Sequence, residues 1–390
     1  MAEPVYLDHN ATTPLDKRVL EKMLPYFSEV YGNAASIDHL HGHQAKEAVE
    51  TARQNIAKII GCRKASEIVF TSGATESNNL ALMGTFRKYK DKGKHIISSA
   101  IEHPCILETL NYLKTEGANI TLLPVDKFGL VNPDDFKKAI RKDTILISIM
   151  FANNEIGTIE PIQEIGSLAK ANNILFHTDA AQAVGHLKID VYKMNIDLLS
   201  LSAHKFYGPK GVGGLFVRSY SPFIRLSPIL FGGGHERGMR SGTLNVPGIV
   251  GMAEALIIAA KEMGKENDRF HKLSNQIFMQ LKRTFPDIKL NGHPAARLAH
   301  NLNITIPGVE NKALVHLLRD KLSFSTGSAC TTTKVLPSHV LKAIGLTDEE
   351  TFQTIRLGLG RYTKEDGIID KFVDGIKRLK ENSRDTILNS

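Results

Sequence analysis

Between residues 67 and 219, short apolar runs alternate with longer amphipathic stretches, and this rhythm limits the possible folds more than any other feature of the chain. EIVFT (67–71), HIISSA (95–100), NITLLPV (119–125), TILISIMFA (144–152), NILFHTD (173–179) and DLLSLSA (197–203) read as strands. In 145–151, six of seven residues are apolar, which requires a strand covered on both faces and hence a largely parallel sheet. The stretches 76–91, 104–116 and 161–172 have helical length and periodicity, so the region predicts an α/β sandwich. Glycine-rich segments follow at 208–214 and 232–242.

After a strongly helical stretch at 248–284 the rhythm changes. Separated strand-like runs at 287–292, 301–307, 323–329 and 354–359 are interleaved with helical segments at 310–321, 337–344 and 364–380. That mixture predicts a smaller α+β domain, with the boundary near residue 264. No internal repeat or low-complexity linker interrupts the chain.

Composition excludes several classes. The 390 residues, 42% hydrophobic and 23% charged, describe a globular protein of two or three domains at roughly 150 residues each. Cys62, Cys105 and Cys330 are an odd number at wide spacing, which supports neither a disulfide framework nor a structural zinc site and favours a reducing, cytoplasmic setting. No apolar run approaches a membrane span, and MAEPVYLDHNATTP lacks the regions of a signal peptide. The surplus of 49 basic over 41 acidic residues is scattered, so direct nucleic-acid binding is not expected.

Chemistry concentrates in three segments. In SAHKFYGPKG (202–211), Lys205 ends a buried strand and runs into a Gly/Pro loop. Ligands bind at the carboxyl ends of strands in open parallel sheets, and a desolvated lysine there can form a Schiff base; alternatively it reaches solvent. Asp179, in FHTDAAQ (176–182), ends another strand and suits either a protonated pyridine nitrogen or a helix N-cap. In FTSGATES (70–77), a strand passes through Gly73 into a helix start where Ala74 and Thr75 offer free N–H groups and a hydroxyl, a cradle for phosphate. Together they describe a pyridoxal phosphate site.

From YLDHNATTP (6–14) through EHP (102–104), ANNEIGTIEPI (152–162), HTDAAQ, SAHKFYGPKG and RSGTLNVPGIVG (240–251) to STGSACT (325–331) and IRLGLGRYT (355–363), the chain resembles the cysteine desulfurases of the NifS/IscS type. These belong to the class-V aminotransferases, within the fold-type I pyridoxal phosphate enzymes. The resemblance implies a large cofactor-binding α/β domain over 15–264 with a mainly parallel sheet. Residues 1–14 and 265–390 would form the small α+β domain carrying the catalytic cysteine loop.

Residue by residue, the resemblance makes Lys205 the Schiff-base lysine and Asp179 the partner of the pyridine nitrogen. Gln182 would bond the phenolic oxygen, and His103 would stack on the ring and shuttle protons. Gly73, Ala74, Thr75, Ser202 and His204 would hold the phosphate, and Thr243 would reach the phosphate of a neighbouring subunit, implying a homodimer. Asn154 and Arg356 would bind the substrate carboxylate, for which the guanidinium fork is apt.

Cys330 sits in TGSACTTTK, too rich in small polar residues for a packed core, which predicts an accessible, mobile loop. In the family the matching cysteine attacks the sulfur of bound L-cysteine, leaving alanine and an enzyme persulfide. Cys62 and Cys105 are expected to be buried packing residues. His39, His41 and His43 have metal-like spacing, but the resemblance implies no metal there. The activity so implied is release of sulfur from L-cysteine to an acceptor protein for iron–sulfur assembly or thiolation. A selenocysteine lyase, another fold-type I lyase or aminotransferase, and a sulfur-carrier scaffold are the alternatives.

Overall fold

The computed structural model describes residues 3–326, 336–365 and 367–388. Among them the strands are β1 (Val5–Tyr6), β2 (Ile68–Thr71), β3 (His95–Ser99), β4 (Asn119–Leu123), β5 (Thr144–Ser148), β6 (Leu175–Asp179), β7 (Leu198–Ser202), β8 (Gly213–Val217), β9 (Lys289–Leu290), β10 (Asn301–Thr305), β11 (Leu322–Ser323) and β12 (Thr354–Gly358). The main sheet runs in the order β2-β8-β7-β6-β5-β3-β4. From β4 across to β7 every pairing is parallel, while β8 is antiparallel to both β7 and β2.

Helices Ala74–Tyr89, Pro104–Thr115, Pro133–Ala139 and Ile162–Ala171 connect successive strands of this sheet and cover it. Their starts are written in the sequence. His103 and Asn132 cap the second and third with side-chain acceptors, and each is followed by a proline at the first helical position, where no N–H is needed. β5, β7 and β8 are buried along their whole length, as the near-continuous apolar runs of the first two predict.

β8 was hidden by its glycines, because the segment GVGGLFV begins inside what reads as a glycine-rich loop. Here the glycine serves a close approach instead of a turn. A Cβ on Gly213 would lie 2.6 Å from the Cα of Gly73 and 2.5 Å from the carbonyl oxygen of Leu201. The strand can therefore slide between β2 and β7 only while that position has no side chain.

The helix Val246–Thr284 serves two hydrophobic cores. Its residues from Val246 to Ala259 pack under the main sheet with Phe176, Leu201 and Phe206. Those from Phe270 to Leu281 pack with Ile304, Leu314, Ile355 and Phe372, around the antiparallel β12-β10-β9 sheet. Residue 264 thus lies within one continuous helix, between its two buried faces. Leu7 joins the second core and β1 pairs with β11, whereas Val19 and Met23 join the first. No helix among the described residues is long and apolar enough to cross a membrane.

β2, β6 and β7 point the same way, so Thr71, Asp179 and Ser202, the last residues of these strands, reach one edge of the sheet together. Gly213→Ala should push on this edge from below. Overpacking of this kind costs about 1–3 kcal/mol, and thermal unfolding should show a matching drop in Tm; an unchanged Tm would contradict the close approach.

Candidate active site

A cavity of about 570 Å³ opens at that edge. Lys205 closes a single 3₁₀ turn, Ala203–Lys205, directly after β7, and its ammonium donates to the carbonyls of Asn10 (2.6 Å) and Ala11 (2.8 Å). It faces the cavity and not open solvent. Burial, helped by the positive charge of Arg356 and opposed by Asp179 and Asp8, draws its pKa down to about 8.

Asp179 ends β6 on the neighbouring strand. Its Oδ1 accepts the N–H of Ala181 at 2.9 Å and its Oδ2 accepts from the Asn78 amide at 2.7 Å. Turns, not a helix, follow it, so the helix-cap reading does not hold. Gln182 donates to the same Asn10 carbonyl as Lys205, at 2.9 Å.

Gly73 turns the chain from β2 into the helix Ala74–Tyr89 with φ near 151°, a conformation other residues rarely adopt. No side chain caps that helix, leaving its first N–H groups available beside Thr75 and Ser202. A Cβ on Gly73 would come within 3.5 Å of Ser202 Oγ, which shows how closely the end of β7 approaches the turn. His204 and Lys210 complete this corner. Burial and the charges of Lys205 and Lys210 lower the His204 pKa to about 4, so the ring is neutral; its Nδ1 lies 3.1 Å from Thr12 Oγ1.

The opposite wall comes from the smaller core. Arg356, on β12, donates from Nη1 to the carbonyl of Asn154 (3.1 Å) and from Nη2 to Asp8 Oδ1 (2.8 Å). Its buried Nε has no partner among the described residues, and neither amide atom of Asn10 has one. His103 also lines the cavity. Burial first, then Lys205 and His339, lower its pKa against the opposing pull of Asp179.

Among the described residues, one expected residue is not in the lining. Thr243 is exposed on a loop outside the cavity, and that loop is tied back by Arg240, which pairs with Glu76 at 2.8 Å in the first turn of the cradle helix. Cys330 lies outside the described residues. Cys62 packs, half-buried, against the main core, as expected. Cys105 departs from expectation: it is half-buried, but it lines the cavity, in contact with His103 and Asn78. Its place two residues after His103, at the start of a helix that points into the site, was the available signal. His39 caps the helix Leu40–Ile59 through Nδ1 to the N–H of Gly42 (3.1 Å), and no group of three or more potential metal ligands forms among the described residues.

The class-V aminotransferase family model matches residues 5–371. The chain belongs to that family. It is 47% identical to the cysteine desulfurase IscS of Anaeromyxobacter sp. (strain Fw109-5) over 98% of this chain and 95% of that protein. Among solved structures, a NifS-like protein superimposes with a TM-score of 0.87 at 36% identity, covering 98% of this chain and 99% of that one. SspA in complex with cysteine gives 0.80 at 38% identity, covering 92% and 100%.

As a class-V aminotransferase the chain uses pyridoxal phosphate. Its residues fit the group on their own chemistry. An uncapped helix start with two hydroxyls and a neutral imidazole suits a phosphate, a carboxylate stands at the next strand end, and an amine of lowered pKa lies beside both. In cofactor-free protein, the rate of Lys205 acetylation, read by peptide mass spectrometry, should rise with pH through a midpoint of about 8. Arg356→Gln removes the positive charge that depresses this amine, so the midpoint should move up; a midpoint that stays or falls would refute the electrostatic assignment.

Proposed function

We propose that this chain is a cysteine desulfurase that takes sulfur from L-cysteine onto Cys330 and releases L-alanine. The observation that carries the reading is the meeting of Lys205 and Asp179, at adjacent strand ends of one core, with Arg356 from the other. A relative solved in complex with cysteine supports the substrate, and the IscS relatives support the reaction.

When bound, pyridoxal phosphate supplies an electron sink that labilises the bonds at the α-carbon of an amino acid. Lys205 anchors it, since an amine with a pKa of about 8 keeps a reactive neutral fraction at neutral pH. Asp179, fixed by Ala181 and Asn78, would keep a proton on the pyridine nitrogen. Gln182 would serve the phenolic oxygen, and His103, which lines the same cavity, would meet the ring. Gly73, Ala74, Thr75, Ser202 and His204 hold the phosphate. Arg356 and Asn154 orient the substrate carboxylate, for which the Nε–H of Arg356, buried without a partner among the described residues, is a ready donor.

The Cys330 thiolate then attacks the sulfur of the substrate. The new S–S bond forms as the Cβ–S bond breaks, its electron pair passes toward Cβ, and a proton delivered to carbon completes alanine. Cys330 keeps the sulfur as a persulfide. Ser325 exchanges main-chain hydrogen bonds with Arg356, at 3.2 and 2.8 Å, so the described chain that leads toward Cys330 runs beside the carboxylate site. The product sulfur goes to an acceptor protein for iron–sulfur assembly or thiolation in the cytoplasm. The enzyme acts as a homodimer in which Thr243 completes the phosphate site of its neighbour.

Cys330→Ser should retain cofactor and bind L-cysteine, because neither step uses the thiol. It should form no persulfide and lose at least about a hundredfold in alanine release, since a hydroxyl is a far weaker nucleophile at neutral pH. Mass spectrometry of the wild-type protein after exposure to cysteine should find one added sulfur on the Cys330 peptide, removable by a reducing thiol. Alanine release by the variant at the wild-type rate would make the protein a simple lyase.

A further inference from the structure

His103 opens the helix Pro104–Thr115, and its Nδ1 accepts the main-chain N–H of Cys105 at 3.2 Å. A neutral imidazole nitrogen that accepts a main-chain N–H carries no proton of its own, so the proton sits on Nε2. The thiol of Cys105 reinforces this, because Sγ lies 3.1 Å from the same Nδ1. On its other side Sγ lies 3.2 Å from the amide nitrogen of Asn78, which also donates to Asp179 Oδ2 at 2.7 Å.

The direction of this chain is set at its acidic end. Asn78 presents its NH₂ group to Asp179 Oδ2, which accepts one of its hydrogens and leaves the second for the sulfur. The sulfur accepts it and can point its own hydrogen at Nδ1. Burial and the negative charge of Asp179 push the Cys105 thiol up to about 12, against donation from Asn78 and Thr75, so that hydrogen is retained at neutral pH.

We propose that Cys105 and Asn78 are positioning residues that hold His103 as its Nε2–H tautomer, so that the ring presents a proton donor, not an acceptor, to the cavity. The inference rests on the reading of this cavity as a pyridoxal phosphate site. The tautomer matters only if the ring is neutral. The groups facing it are Asp179 at the end of β6, Lys205 after β7, His339 from the helix His339–Ala343, and Cys105 itself. Asp179 favours the charged ring, whereas burial, Lys205 and His339 favour the neutral one and prevail. Asn78 meanwhile fixes Asp179, so one hydrogen-bonded chain orients both groups that would contact the cofactor ring.

The test is nitrogen-15 NMR of the cofactor-loaded, histidine-labelled protein, with His103 assigned by the signals lost in His103→Gln. At neutral pH, Nδ1 of His103 should resonate as an acceptor nitrogen and Nε2 as a protonated one. The reverse pattern, or an average of the two, would overturn the proposal. An S–H donor to Nδ1 stabilises only the neutral ring, so Cys105→Ala should raise the pKa followed at His103 by about half a unit to one unit, the size of one hydrogen bond on that scale. Cys105→Ser, which keeps a donor, should leave it at the wild-type value. No shift in the alanine variant, or an equal shift in both, would remove the thiol from this role. Failure of the desulfurase reading would register separately, as wild-type protein that makes no alanine from cysteine.

Discussion

The parallel register of β6 against β7 is the constraint on which the site depends. It sets Asp179 opposite Ser200 and so delivers Asp179, Ser202 and, one turn later, Lys205 to the same edge. Hydrogen bonding between neighbouring strands fixes this spacing before any side chain is considered. A slip of one residue would turn Asp179 into the core and bring Thr178 to the cavity. Gly213 protects the arrangement from the far side, since only a residue without a side chain lets β8 close against β7 and the Gly73 turn.

The second requirement is electrostatic. The cavity gathers Lys205, Arg356, His103 and His204 around Asp179, and burial disfavours the charge on Lys205 and on both histidines. The protein answers by leaving the histidines neutral, lowering Lys205 to about 8 and spending Asp8 on Arg356. Glu102, fully buried next to His103, would add a second negative charge beside Asp179. Burial instead raises it to about 8, and it accepts bonds from Ser99 (2.7 Å) and the N–H of Met150 (2.9 Å) as a mostly neutral acid at neutral pH. Asp179, held by Asn78 and Ala181, is thereby left lining the cavity beside Lys205.

Much of this was legible in the chain because it depends on local patterns. Buried parallel strands announce themselves by unbroken apolar runs, and Asp179, Lys205 and Gly73 stand where those runs end. What was not legible depends on contacts between distant segments. β8 reads as a loop because glycines chosen for close approach look the same in sequence as glycines chosen for turns. Asn10 carries nothing that predicts its carbonyl would receive both Lys205 and Gln182, 195 and 172 residues away. Cys105 reads as a packing residue until the helix start places its sulfur between His103 and Asn78. Arg356 could be assigned only by resemblance, since its partners Asp8 and Asn154 lie 348 and 202 residues away in the sequence.

The central claim is that Lys205 covalently anchors pyridoxal phosphate between Asp179 and the helix start at Gly73. Borohydride reduction of the purified protein, followed by peptide mapping, tests it most directly. The account predicts a visible absorption band that reduction abolishes and a single pyridoxyl group on the peptide containing Lys205. A pyridoxyl group on another lysine, or a protein that holds no cofactor even after incubation with pyridoxal phosphate, would contradict it.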